Sequence, residues 1–335
     1  MSTAMPHILR KPRRSHALAA LFAAAALCHA LPAAAQADAW PTHAIKLVAP
    51  SAPGGATDSV GRILGRYFEK ELKQPIVVEA KAGAGAIIGT EYVKNSPGDG
   101  YTVLISGSST HSANPFLYAK LPYDPQKDFR DIGMVGFIPA IGMVRAGLPI
   151  HSTAELVSYA KAHPGKLSYG YATSSSQVPP AIIKSRADID VIGAAYKSLA
   201  QIITDLAGGT IDFAFLDIMS AAPALQNKGI VPIATTSLQR TPSLPDVPTV
   251  AEALPGFEVR SWIGLAVPTG TPDAVIGRMN RLLNAALADP PTRQALERLG
   301  MTVQPYSLAE MAKFTEADRA RWREWVRLAK IEPIQ

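Results

Sequence analysis

The sequence predicts an α/β fold of two strand-helix regions, and three observations carry that expectation. Short β-branched and apolar runs alternate with longer amphipathic stretches, which is the pattern of strand-helix repeats and parallel sheets. The short runs open into loops rich in Gly, Ser, Pro and Ala. With 335 residues, 47% of them hydrophobic, the chain holds about two domains at roughly 100–200 residues each.

The first region begins with a buried strand at 45–49, a Gly/Pro loop at 50–57 and a helix at 58–72 whose Val60, Ile63, Leu64, Tyr67 and Phe68 share one face. A second unit repeats this order: a strand at 76–79, a loop at 81–85, a helix through about Lys94, a turn at 97–100 and a strand at 102–106. After an apolar stretch at 141–145 come a helix at 153–163 and a strand at 167–171. Residues 181–184 read as helix, 191–194 as strand, 199–207 as helix, 211–216 as strand, 220–226 as helix and 231–235 as strand. The Pro-rich segment 241–255 is irregular, and 262–267 is strand-like. Helical spacing then runs through 272–288, 291–299 and 308–328, each with a Pro or Ser-type start. A strand-rich middle between a strand-rich start and a helical end fits a first domain of 38–140 and 261–335, with a second domain, 141–260, inserted in it.

The N-terminus has the three parts of a secretory signal: Arg10, Lys11, Arg13 and Arg14, then an apolar run at 17–27, then Ala35-Gln36-Ala37. The expected leader is residues 1–37, with cleavage after Ala37. It holds four of the 33 Lys and Arg and none of the 27 Asp and Glu, so its removal lowers the net charge from +6 to +2. The remaining cations are scattered, and no nucleic-acid partner is expected. Cys28 leaves with the leader, which excludes disulfides, thiolate metal sites and cysteine nucleophiles from the exported form.

The chemistry-bearing candidates lie in the loops that follow strands, because ligands of open α/β sheets bind at the carboxyl ends of the strands. Ser51, Ala52, Gly54, Gly55, Ala56 and Thr57 follow the first strand, Ala84 and Gly85 the second, Ser108 the third, and Thr173, Ser174, Ser175 and Ser176 a strand of the second region. Small side chains let backbone N–H groups and hydroxyls approach an anion, and a helix N-terminus behind them adds a favourable field. Asp217 ends the strand at 211–216. It accepts hydrogen bonds there either from a ligand amine or hydroxyl or from the helix that follows.

The spacing of Gly83, Gly85 and Gly89 does not fit a dinucleotide loop, and no phosphate-loop Gly-Lys-Ser/Thr occurs, so no cofactor is expected. No Gly-x-Ser-x-Gly elbow is present. His43, His111, His151 and His163 lack metal-type spacing, which leaves no catalytic or metal residue to name and no enzyme to expect. His111 reads as a hydrogen-bonded loop residue. Trp322 and Trp325 read as core-facing residues of a helix with a charged outer face.

Several motifs recur in a family order. They are Ala49-Pro50-Ser51-Ala52-Pro53-Gly54-Gly55 with Asp58 and Arg62, Gly83-Ala84-Gly85, and Pro97-Gly98-Asp99-Gly100-Tyr101-Thr102. Further on come Leu121-Pro122-Tyr123-Asp124-Pro125, Tyr196-Lys197, and Leu244-Pro245-Asp246-Val247-Pro248-Thr249 with Pro255-Gly256-Phe257. With these the chain resembles the Bug family, the extracytoplasmic solute-binding proteins of tripartite tricarboxylate transporters. The resemblance implies two Rossmann-like domains of the periplasmic-binding-protein type with a ligand cleft between them.

It also implies a monomeric periplasmic receptor that closes on a small organic carboxylate, whether a di- or tricarboxylate, an amino acid or an aromatic acid, and delivers it to membrane permease subunits. An alternative is a receptor that signals to a membrane sensor. The family's carboxylate-holding loop corresponds to 51–57, its second wall to 173–177, and Asp217 stands where Asn is common. That acid favours an amine-bearing ligand.

Overall fold

The apolar run Ile45–Ala49 forms β1, buried along most of its length. It opens a computed structural model that describes residues 1, 40–241 and 243–335. Apart from Met1, the expected leader lies outside the described residues. Helix α1 (Ala56–Leu72) buries Val60, Leu64 and Phe68 on the sheet. Gly61 lets it approach closely, because a Cβ there would lie 2.5 Å from Ile105 Cδ1. Strands β2 (Ile76–Ala80) and β3 (Thr102–Gly107) pair parallel to β1 on either side, with α2 (Ile87–Lys94) between them in the chain.

Past a π-helical turn, Ser108–Ala113, and the short α3 (Asn114–Leu117), the chain enters β4 (Phe129–Arg145), a strand of 17 residues. The second region follows. It comprises α4 (Thr153–Ala162), β5 (Ser168–Tyr171), α5 (Ser174–Ala187), β6 (Ile192–Ala195), α6 (Leu199–Ala207), β7 (Phe213–Asp217), α7 (Ile218–Ala221), β8 (Ile230–Thr235) and α8 (Val250–Ala253). The chain returns through β9 (Arg260–Pro268) and ends with α9 (Asp273–Ala288), α10 (Pro290–Arg298), β10 (Thr302–Val303) and α11 (Leu308–Leu328).

The strands form one sheet in the order β2-β1-β3-β9-β4-β7-β5-β6, with β8 and β10 also pairing with β4. In its first part β4 pairs with β9 and β10, and in its last part with β7 and β8, all antiparallel. It therefore belongs to both regions of the sheet. The parallel trios β2-β1-β3 and β6-β5-β7 flank this antiparallel centre, so the sheet is mixed where parallel pairing was expected. Phe213 and Phe215 are fully buried, and burial of such side chains stabilises by about 1.5–3 kcal/mol each.

Two elements run longer than the sequence pattern suggests. Gly133, Gly136 and Pro139 interrupt the apolar run of β4, and bulges between Asp131 and Gly133 and between Met134 and Gly136 carry the strand through them. Helix α5 includes Pro179 and Pro180, which supply no N–H to it. It persists because Val178, both prolines, Ile182 and Ile183 are buried. Residues 250–253, inside the Pro-rich segment whose composition predicts irregular structure, form α8, started by a capping box in which Thr249 Oγ1 accepts from Glu252 N–H and Glu252 accepts from Thr249 N–H.

Candidate functional site

The carboxyl ends of both parallel trios open on one cavity of about 750 Å³. Its wall takes Ser51, Ala52, Gly54, Gly55, Ala56 and Thr57 from the β1–α1 loop and Ala84 and Gly85 from the β2–α2 loop, with Ser108 after β3. From the second region it takes Thr173, Ser174 and Ser175 at the start of α5, and Asp217 at the end of β7. Ser176 does not line it. That side chain is fully buried, and its Oγ accepts from Ala172 N–H and Thr173 N–H, each at 3.0 Å, and so closes the α5 cap.

The β1–α1 loop is held from within. Ser51 Oγ and Thr57 Oγ1 lie 2.7 Å apart, Gly55 N–H donates to Ala52 O, and Gly54 N–H donates to Asp58 Oδ2 at 2.9 Å. Asp58 also takes a two-pronged pair from Arg62, at 2.9 and 3.0 Å. Burial pushes the Asp58 carboxyl up, but the bonds from Arg62 and Gly54 outweigh it and hold the group below its ordinary value. The N–H groups of Gly54 and Gly55 are thus committed inside the loop. Among the described residues no acceptor takes those of Ala56 and Thr57, in the first turn of α1.

The same arrangement recurs across the cavity. Thr173 and Ser198 cap α5 and α6, and among the described residues the N–H groups of Ser174 and Ser175 find no acceptor. Three helices of 17, 14 and 9 residues therefore begin at the cavity wall. Each N-terminus carries roughly half a positive charge, so the field in the cavity favours an anion.

Further contacts fix the rest of the wall. Asn114 Nδ2 donates to Gly85 O at 3.0 Å, which holds a left-handed turn with φ of +46° at Ala84, +61° at Gly85 and +79° at Ala86. Ser108 Oγ accepts from Trp262 N–H at 2.8 Å and ties β3 to β9. Ser109 Oγ lies 2.8 Å from Ser174 Oγ, a hydrogen bond between the two regions.

Asp217 both caps and lines. Its Oδ1 accepts from Ser220 N–H at 2.9 Å, and the residue is 8% exposed at the cavity wall. Burial pushes its carboxyl upward against hydrogen bonds from Ser220 and Met219 that pull it down. His111 lies behind the wall at 1% exposure, with Nδ1 2.8 Å from Thr110 Oγ1. Burial, with Arg319 nearby, drops its pKa to about 3, so the ring is neutral. Trp322 is fully buried and packs against Trp325 with ring centroids 5.1 Å apart. No group of three or more His, Asp or Glu among the described residues is placed to hold a metal ion, and none of their helices is long and apolar enough to cross a membrane.

Tyr118, Tyr171, Tyr196 and Lys197 also line the cavity, and sequence reasoning missed them. Tyr196 and Lys197 directly follow β6, so the strand-end rule applied to the other loops was enough to find them. Tyr171 ends β5, so the same rule reaches it, whereas Tyr118 follows α3 and comes to the wall through tertiary folding.

A family model described as the tripartite tricarboxylate transporter family receptor matches residues 60–330. A protein of Pseudomonas sp. (strain P51), described as the UPF0065 protein in the tcbD-tcbE intergenic region, is 33% identical over 293 residues, covering 86% of this chain and 87% of that one. The solved structure of R. palustris Rpa4515 with adipate is similar at a TM-score of 0.85 and 31% identity, covering 88% of this chain and all of that one. The periplasmic binding protein BugD is similar at 0.81 and 30%, again over 88% of this chain and all of that one. These findings bear out the resemblance to the Bug receptors and the periplasmic-binding-protein fold.

Proposed function

The chain belongs to the tripartite tricarboxylate transporter receptor family, and from that premise we propose that it is a periplasmic, monomeric, non-enzymatic receptor for a small organic carboxylate. The observation that carries this reading is the start of α1, α5 and α6 at one cavity whose wall is otherwise mostly neutral. Carboxylate oxygens accept from the N–H groups of Ala56, Thr57, Ser174 and Ser175, and no covalent step is needed. The adipate bound by the similar Rpa4515 supports the ligand class.

Residues 38–140 with 261–335 form one lobe and 141–260 the other, and the solute draws them together. Both lobes supply donors, so the closed state binds better than the open one, which is the condition for ligand-driven closure. The closed receptor delivers its solute to the permease subunits of a tripartite transporter. A thermal-unfolding screen of di-, tri-, amino and aromatic carboxylates tests the reading. A true ligand at a hundred times its Kd stabilises the fold by about 2.7 kcal/mol. A flat response across the whole panel, with the protein folded, rejects the carboxylate assignment.

A further inference from the structure

Among the described residues that line the cavity, Lys197 and Asp217 alone carry a charged side chain. Lys197 adds to the positive field of the three helix N-termini. Asp217 opposes it, at a position where its charge is costly. The residue is more than nine-tenths buried, and its carboxyl accepts from Ser220 N–H and forms no ion pair with a cation among the described residues. Lys197 follows β6, and β5 lies between β6 and β7, so the two residues start from strand ends two spacings, or roughly 10 Å, apart.

Capping does not explain the charge. The first turn of α7 needs an oxygen acceptor for Ser220 N–H, and Asn caps as well as Asp without a buried anion. A buried carboxylate with no protein cation is stabilised when a cation arrives beside it and is otherwise a cost. Asp217 lines the cavity, and a solute held there meets it.

We propose that the solute carries a protonated nitrogen as well as a carboxylate, and that Asp217 is the residue that selects it. The carboxylate sits at the helix N-termini, and the ammonium donates to the Asp217 carboxylate. This inference rests on the carboxylate-receptor reading above and assigns the second pole of the same cavity.

The test uses three pairs of acids that differ in the α-ammonium group alone: aspartate and succinate, glutamate and glutarate, phenylalanine and 3-phenylpropionate. Affinities are measured by titration calorimetry on the wild type and on Asp217→Asn, whose folding is checked by thermal unfolding. In every pair that binds, the wild type prefers the ammonium member by at least about tenfold, as a charge-assisted hydrogen bond provides, and the variant loses that preference. Equal or tighter binding of the plain acid by the wild type overturns the inference, as does a preference that survives in Asp217→Asn. The receptor reading then stands, since carboxylates still bind. If none of the six binds the folded wild type, the ammonium inference falls, and the carboxylate reading is decided separately by the wider panel above. The wild-type comparison decides the matter even where the variant is unstable.

Discussion

Asp58 is the residue on which the order of the β1–α1 loop depends, and replacing it with Asn tests how that order serves binding. The carboxylate takes Gly54 N–H at 2.9 Å, takes two bonds from Arg62, and stands in the first turn of α1. A hydrogen bond to a charged group contributes about 1.5–3 kcal/mol, and a negative charge at a helix N-terminus about 0.3–1 kcal/mol. The Arg62 side chain is 54% exposed, so that ion pair counts for less than about 1 kcal/mol. Asn keeps one acceptor oxygen, which leaves an expected loss of about 1–3 kcal/mol at pH 7, measured by urea unfolding.

The folded-state pKa of Asp58 is depressed below 3.8. Its stabilisation is therefore present above that value and is lost as pH falls through the folded pKa. The gap between wild type and Asp58→Asn should hold steady from pH 7 to about 3.8 and narrow below that, as pH falls through the folded pKa. Carboxylate affinity should fall by about tenfold, because the N–H groups of Ala56 and Thr57 lose their fixed direction. A variant equal to wild type in stability at pH 7, or a gap that does not close in acid, refutes the reasoning.

Other perturbations have equally definite outcomes. In Gly85→Ala the new Cβ would lie within clash distance of Tyr118 Oη at a φ of +61°, so stability should fall by about 1–3 kcal/mol and ligand affinity with it, read by thermal unfolding and calorimetry. His111 is held neutral, with a pKa near 3 against an ordinary 6.5, so its contribution is complete above 6.5 and lost as pH falls toward 3. At pH 5 the loss is roughly 2 kcal/mol, and His111→Gln should flatten that part of the pH-stability curve. Burial raises Asp131 to about 6, so it works in the opposite sense between 3.8 and 6 and should dominate the slope left in the variant. Trp262→Phe removes the 2.7 Å bond from Nε1 to Asp318 Oδ2 and leaves that buried carboxylate short of a partner, a cost of about 1–3 kcal/mol by urea unfolding.

The strand-end loops were legible because Gly, Ser and Ala clusters punctuate clean apolar runs. β1 and α1 appeared nearly at their observed limits for the same reason. Where Gly or Pro falls inside an element, local pattern and tertiary structure part. β4 keeps its course through Gly133, Gly136 and Pro139 because β9 pairs with it, and burial overrides the two prolines of α5. Within the site, composition indicated which loops converge but not which atoms remain available. Gly54 and Gly55 spend their N–H groups on Asp58 and Ala52, Ser176 spends its hydroxyl on a cap, and Tyr196 and Lys197 bring an aromatic and a cation to a strand end where small residues were sought.

In the proposed receptor one anion sits between the first turns of α1 and α5. A crystal structure of the protein grown with a carboxylate that stabilises it tests this directly. The expected electron density shows one solute in this cavity, with carboxylate oxygens within hydrogen-bond reach, direct or through a single water, of the N–H groups of Ala56 or Thr57 and of Ser174 or Ser175. A solute bound elsewhere, or one whose carboxylate faces away from both helices, contradicts it.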